Sequence, residues 1–178
     1  MRAEDRYDSL MQFAWAEASR EYGFVHDPSA DWRLIKAMVH QKSSFRPKVV
    51  QPVSGAIGLM QLLPSTADEM GVDDPFDPEQ SILGGTRYLG KLWAVWKAEG
   101  GWDRWAFALG SYNAGLGHIL EAQARATSRR YPNDRWSSIA VLLSEVTGEH
   151  ARETTEYVRK IATAFHAMRQ LDPEALSP

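Results

Sequence analysis

The 178-residue sequence contains no cysteine, and this absence excludes disulfide bonds, zinc–thiolate sites and a cysteine nucleophile. The sequence also lacks any run that approaches the ~20 apolar residues of a membrane span. Its first residues carry acids and no apolar stretch follows them, so we expect no signal peptide in the chain as given.

Positive charge is not in excess either. The 20 lysines and arginines are set against 23 aspartates and glutamates, which gives a formal net charge of -3. We therefore expect no nucleic-acid partner. Arg125, Arg129 and Arg130 form a local basic cluster, which we expect to be a solvated helix end. Apolar residues make up 44% of the chain, which is enough to bury a core and argues against disorder.

Motifs for metal and nucleotide chemistry are missing as well. The five histidines are scattered without a His-Glu-x-x-His pair. No phosphate-binding glycine motif and no Gly-x-Ser-x-Gly elbow is present. We therefore predict no metal site and no cofactor.

What the sequence does contain is helical periodicity almost throughout, without strand alternation or hairpin signals, which predicts an all-α fold. We expect a single domain over residues 1–178, with a motif-bearing core at about 31–127 and terminal helices that reach about 171. The pattern predicts helices at about 9–22, from 31 onward, at about 77–98, through 105–112, and at about 117–127, 134–146 and 149–171.

Several helix ends carry recognisable signals. Gly23 is expected to end the first helix, and the Asp31 side chain can accept a hydrogen bond from the backbone at the start of the second. Asp77 and Pro78 provide an N-cap and a proline at the first helical position, and Gln80 occupies the capping-box position.

The second helix places a charged residue on its buried face. Its apolar stripe is Leu34, Ile35, Met38 and Val39, and the same spacing puts Lys42 next on that face. An ionisable group there is costly unless it is paired or functional. Alternatively, Lys42 extends its amine from the helix end to solvent.

Four short motifs follow one another along the chain. They are residues 41–45, 54–61, 80–89 and 111–115, which read QKSSF, SGAIGLMQ, QSILGGTRYL and SYNAG. In this order and spacing they resemble the lytic transglycosylases of the soluble-transglycosylase type, glycoside hydrolase family 23, over nearly the whole chain. Within that family the sequence is most similar to the catalytic domain of the membrane-bound lytic transglycosylase F group, through residues 31–34, 79–89 and 112–118.

The resemblance implies a goose-type lysozyme-like helical fold and cleavage of the β-1,4 bond between N-acetylmuramic acid and N-acetylglucosamine in peptidoglycan. The family does this without adding water and leaves a 1,6-anhydro end. One carboxylic acid acts first as general acid and then as general base, an exception to the two-carboxylate scheme of glycosidases. The implied partner is the glycan strand, the implied location is the periplasm or cell envelope, and we expect a monomer.

The sequence departs from the family at the catalytic acid. The family has Gln-Glu-Ser where this chain has Gln41-Lys42-Ser43, so Lys42 occupies the position of the acid. A lysine has a reference pKa of about 10.4 and is cationic at neutral pH. Because loss of general acid–base catalysis costs on the order of 10²–10⁴ in rate, we predict that this chain is inactive or strongly impaired.

Three explanations for Lys42 stay open. In the first, Lys42 is an inactivating substitution in an enzyme whose usual residue is glutamate. In the second, the chain is a pseudoenzyme that binds glycan or serves cell-wall assembly. In the third, another acid has taken over the reaction, but the absence of any acid between Asp31 and Asp68 argues against this.

The motifs imply further binding residues. By the resemblance, Ser54 and Tyr112 orient the acid or the N-acetyl group, and Met60 and Gln61 line the sugar cleft. Asn113 forms a turn beside the scissile bond, and Tyr157 faces the cleft from the last helix. From the residues alone, core positions explain Met60 and Tyr157 better than cleft positions, and Asn113 fits a helix end equally well.

Overall fold

The computed structural model describes residues 5–96 and 100–171. Within these ranges the backbone forms nine helices and confirms the all-α prediction. They are α1 (Asp8–Tyr22), α2 (Arg33–Ser43), α3 (Pro64–Glu69), α4 (Pro78–Val95), α5 (Gly101–Ala114), α6 (Leu116–Ser128), α7 (Trp136–Leu142), α8 (Ser144–Thr147) and α9 (His150–Gln170). None of the helices in these ranges is both long and apolar enough to cross a membrane.

The predicted end signals act as expected, with one difference. Gly23 adopts a left-handed conformation with φ 81° after α1, and Asp77 accepts a hydrogen bond of 2.9 Å from the Gln80 N–H. The Gln80 side chain does not close a capping box, because its oxygen accepts from the N–H groups of Asp73 and Asp74. These two hydrogen bonds hold the preceding loop against the start of α4.

The second helix begins two residues later than predicted. Asp31 still accepts a hydrogen bond from a backbone N–H, that of Arg33, at 2.9 Å. The Asp31 side chain therefore satisfies one of the unpaired donors at the helix start, while the helix itself starts at Arg33.

The structure corrects the predicted helices in two other places. The single helix predicted at 134–146 is divided into α7 and α8, where the Ser144 hydroxyl donates to the Val141 carbonyl and offers a local alternative to a continuous helix. The short α3 was not predicted, although Pro64 at its first position is a start signal. The predicted end of α4 near Ala98 lies outside the described residues.

Helix α5 lies at the centre of the core. Its residues Trp105 to Leu109 have no exposed surface, and the Trp105 ring contacts those of Trp15, Phe24 and Trp93 at centroid distances of 5.1 to 5.6 Å. Helix α9 packs against both α2 and α5. The three helices that carry residues 42, 112–113 and 157 therefore meet.

Candidate functional site

An open cavity of about 610 Å³, called the cleft below, lies where α2, α5 and α9 meet the loop between α2 and α3. Six of the seven predicted site residues line it, all except Met60. The lining consists of Gln41, Lys42, Gln51, Ser54, Ala56, Gln61, Leu63, Tyr112, Asn113, Glu149, Arg152, Glu153, Glu156, Tyr157 and Lys160.

Lys42 stands at the end of α2 and points its amine into this junction. Its Nζ donates a hydrogen bond of 2.8 Å to Asn113 Oδ1 and lies 4.4 Å from the ring centroid of Tyr157 and 5.5 Å from that of Tyr112. Burial lowers the pKa of the Lys42 amine to about 8, while the negative charge of Glu153 acts in the opposite direction. At neutral pH the cleft therefore contains an ammonium group against two aromatic faces.

Asn113 connects the three helices. Its Oδ1 accepts from Lys42 on α2, and its Nδ2 donates to the Thr154 hydroxyl on α9 at 3.2 Å. Asn113 lies in the last turn of α5, which ends before Gly115 with φ 94°. Its side chain thus does more than end a helix, because it fixes the position of the amine.

The two cleft tyrosines differ in their hydroxyl groups. Tyr112 donates to the Met60 carbonyl at 3.0 Å, whereas the buried Tyr157 hydroxyl has no hydrogen-bond partner among the described residues. Burial raises the pKa of both Tyr112 and Tyr157 above the usual range. Both side chains are therefore neutral, and Tyr157 keeps an unused donor.

Gln61 and Ser54 belong to the loop side of the cleft. Gln61 has a positive φ of 51°, and its Nε2 donates to the carbonyls of Gly58 and Val49 at 2.8 and 3.2 Å. Ser54 is exposed, and its hydroxyl accepts from the Ala56 N–H at 3.3 Å. These bonds hold the loop in the shape that forms this wall.

Met60 does not line the cleft. Its side chain is fully buried, and a Cβ added at Gly85 would lie only 2.5 Å from the Met60 Cβ. The side chain of Met60 therefore occupies the core position that the residues alone allowed. Its link to the cleft is the backbone carbonyl that holds Tyr112.

Helix α9 and its N-cap contribute charged residues that the sequence reasoning missed. Five of them line the cleft, four on α9 and one at its N-cap: Arg152, Glu153, Glu156, Lys160 and Glu149. The signal was available, since residues 149, 153, 156 and 160 follow one another at intervals of three or four. The absence of acids between Asp31 and Asp68 consequently does not keep carboxylates out of the cleft.

Comparison with known proteins gives a family and a fold. A family model described as the transglycosylase SLT domain matches residues 25–134. A membrane-bound lytic murein transglycosylase F from Desulfosudis oleivorans is 37% identical over 166 residues, covering 86% of this chain and 35% of the relative. One from Maricaulis maris is 38% identical over 128 residues, covering 71% of this chain and 28% of the relative.

Two solved structures resemble the fold. The 70 kDa soluble lytic transglycosylase of Escherichia coli matches 88% of this chain and 24% of its own, with a TM-score of 0.61 and 23% identity. The lytic transglycosylase Slt of Pseudomonas aeruginosa matches 93% of this chain and 25% of its own, with a TM-score of 0.61 and 18% identity. The predicted lysozyme-like fold is confirmed. The chain spans about a third or less of the length of these relatives.

Proposed function

Because the chain belongs to the transglycosylase SLT domain family, as its motifs predicted, we propose that its cleft binds the glycan strands of peptidoglycan and that Lys42 prevents efficient cleavage. The observation that carries this proposal is the position of the Lys42 amine, held by Asn113 between the rings of Tyr112 and Tyr157. The resemblance assigns the acid of the reaction to this same point.

The substrate is inferred from the relatives. Those described above are named murein transglycosylases, and the cleft offers the open shape and the mixed polar and aromatic wall that a sugar chain requires. We propose that this chain acts in the cell envelope, where peptidoglycan lies.

The chemistry explains why an amine is a poor substitute. Cleavage of the bond between N-acetylmuramic acid and N-acetylglucosamine with 1,6-anhydro formation needs a proton on the glycosidic oxygen, followed by removal of the proton from the 6-hydroxyl. Positive charge develops at the sugar during this step. A carboxylic acid becomes an anion when it gives up its proton and stabilises that charge, whereas an ammonium group becomes neutral and offers no such stabilisation.

The test is the substitution Lys42→Glu, with Lys42→Gln as the control that removes the charge without supplying an acid. Each protein is incubated with purified sacculi, and released 1,6-anhydro muropeptides are measured by mass spectrometry. We expect release only by the Lys42→Glu protein, whose carboxylate enters a site containing the unused Tyr157 hydroxyl. Release by the unaltered chain would refute the proposed inactivity.

A non-catalytic glycan-binding module is the second candidate. It is favoured by the specific accommodation of Lys42, since a hydrogen bond and two ring faces receive the amine. If neither the unaltered chain nor Lys42→Glu cleaves sacculi while both sediment with them, this second function is the correct one.

A replacement acid is the remaining explanation, and Glu153 is the residue that would fill this role. Glu153 is the cleft carboxylate whose charge acts on the Lys42 amine. Any activity of the unaltered chain that disappears in Glu153→Gln would identify this residue as the acid.

A further inference from the structure

The Lys42 ammonium has more donors than acceptors around it. An ammonium carries three N–H groups, and among the described residues a single oxygen, Asn113 Oδ1, accepts a hydrogen bond from it. The other close groups are the faces of two tyrosine rings. Glu153 influences the pKa of the amine, but no hydrogen bond or salt bridge joins the two side chains in the described part of the chain.

Lys36, on the same helix, shows how this fold normally satisfies a partly buried amine. Its Nζ lies 3.0 Å from a carboxylate oxygen of Asp5 and 2.8 Å from one of Asp8. Burial by itself would lower the pKa of Lys36, but the hydrogen bonds to Asp8 and Asp5 raise it. Lys42 is partly exposed, as Lys36 is, but no such carboxylate pairs with it among the described residues, and its cavity of about 610 Å³ is larger than the one of about 170 Å³ beside Lys36.

From this difference we propose that Lys42 binds a carboxylate carried by the glycan, namely the free lactyl carboxylate of a muramic acid residue that has lost its stem peptide. The proposal rests on the proposed glycan binding and names the class of strand that the cleft prefers. A carboxylate offers two acceptor oxygens to the unused N–H groups of the ammonium, and such charge-assisted bonds are about twice as strong as neutral ones.

The position of the charge favours a carboxylate on the sugar over one on the peptide. Lys42 lies at the junction of three helices and lines the cleft that holds the sugar rings in the proposed complex. The wall formed by α9 and its N-cap carries three carboxylates against two cations, and this net negative charge disfavours the several carboxylates of a stem peptide more than a single lactyl carboxylate. The lactyl group is attached directly to the sugar ring, so its carboxylate enters the cleft with the sugar itself.

The test compares three ligands of equal length by calorimetric titration. They are peptide-free glycan oligomers with free lactyl carboxylates, the same oligomers with stem peptides, and neutral chito-oligosaccharides. We expect the unaltered chain to bind the peptide-free oligomer roughly 10- to 100-fold more tightly than the neutral one, the range for a hydrogen-bonded charge pair. Lys42→Met should reduce this preference to less than about threefold.

Lys48→Met is the matched control, since it removes the same charge outside the cleft, where the Lys48 amine lies over the Phe76 ring. The Lys48→Met protein should prefer the peptide-free oligomer over the neutral one as strongly as the unaltered chain does. Melting curves establish that the variants fold, and Lys42→Gln replaces Lys42→Met if the latter does not.

The outcomes separate this inference from the proposed function. Equal affinity for the peptide-free and neutral oligomers overturns the role of Lys42 while leaving glycan binding intact. Tighter binding of the peptide-bearing oligomers assigns the carboxylate to the stem peptide and overturns the lactyl assignment. Absence of binding to all three ligands overturns the proposed function itself.

Discussion

Substituting Lys42 with methionine removes a charge from the cleft while keeping an unbranched side chain of similar length. In the folded chain the amine has a pKa of about 8, whereas an unfolded lysine has one of about 10.4. The ammonium form is therefore less favourable in the fold than in the unfolded chain. The unaltered protein carries this cost at neutral pH, and the Lys42→Met protein does not.

The size of the effect follows from the two pKa values. Their difference corresponds to about 3 kcal/mol. The charged form of Lys42 is therefore less favourable in the fold by this amount, and the cost disappears as the pH rises from the folded pKa to the unfolded one.

The assay is urea unfolding of the unaltered and Lys42→Met proteins between pH 7 and pH 10.5. Since the folded pKa lies below the unfolded one, the unfolded chain binds the extra proton between about pH 8 and pH 10.4, and the stability of the unaltered protein rises with pH there. The difference in free energy of unfolding, Lys42→Met minus unaltered, should fall by about 3 kcal/mol across this window. Groups common to both proteins cancel in the difference.

Lys36→Met provides a control that has no slope in this window. The pKa of Lys36 is raised in the fold, so its charge stabilises the protein fully below the unfolded pKa, and this contribution is lost only as the pH rises further through the folded pKa. The difference for Lys36→Met should therefore be nearly constant up to about pH 10. A difference for Lys42→Met that is equally constant would refute the argument.

Two further substitutions test the contacts of the cleft. Tyr112→Phe removes the donor to the Met60 carbonyl and should lower the free energy of unfolding by about 1–3 kcal/mol, measured in urea; an unchanged value would mean that water replaces the hydroxyl. Asn113→Asp places a carboxylate at the atom now 2.8 Å from the Lys42 amine and should raise the pKa of that amine above about 8, followed by NMR titration. A pKa that stays at about 8 would show that the contact does not persist in solution.

The sequence predicted those parts of the molecule that depend on local pattern. The buried face of α2 and the Asp77 cap of α4 follow from spacing and side-chain type over a few residues. The short α3 and the interruption at Ser144 were not predicted, because they depend on a few local hydrogen bonds. The periodicity of apolar residues over a longer window gives no information on such bonds.

The cleft was predicted in part for a related reason. Motif residues on α2 and α5 were found because each motif is continuous, but the bond between Lys42 and Asn113 spans 71 positions. The acids of α9 lie further still along the chain and reach the cleft only through helix packing. A search for a replacement acid confined to residues near position 42 could not find them.

The bridging amide of Asn113 has an evolutionary consequence. An asparagine side chain presents an acceptor on one side and a donor on the other, and the Thr154 hydroxyl that it contacts can either accept or donate. Turned by half a rotation, the same amide would serve a carboxylate at position 42 as well as it now serves an amine. Since lysine and glutamate codons differ by a single base, a lineage could exchange a carboxylate for an amine at position 42, and reverse the exchange, without changes in the surrounding helices.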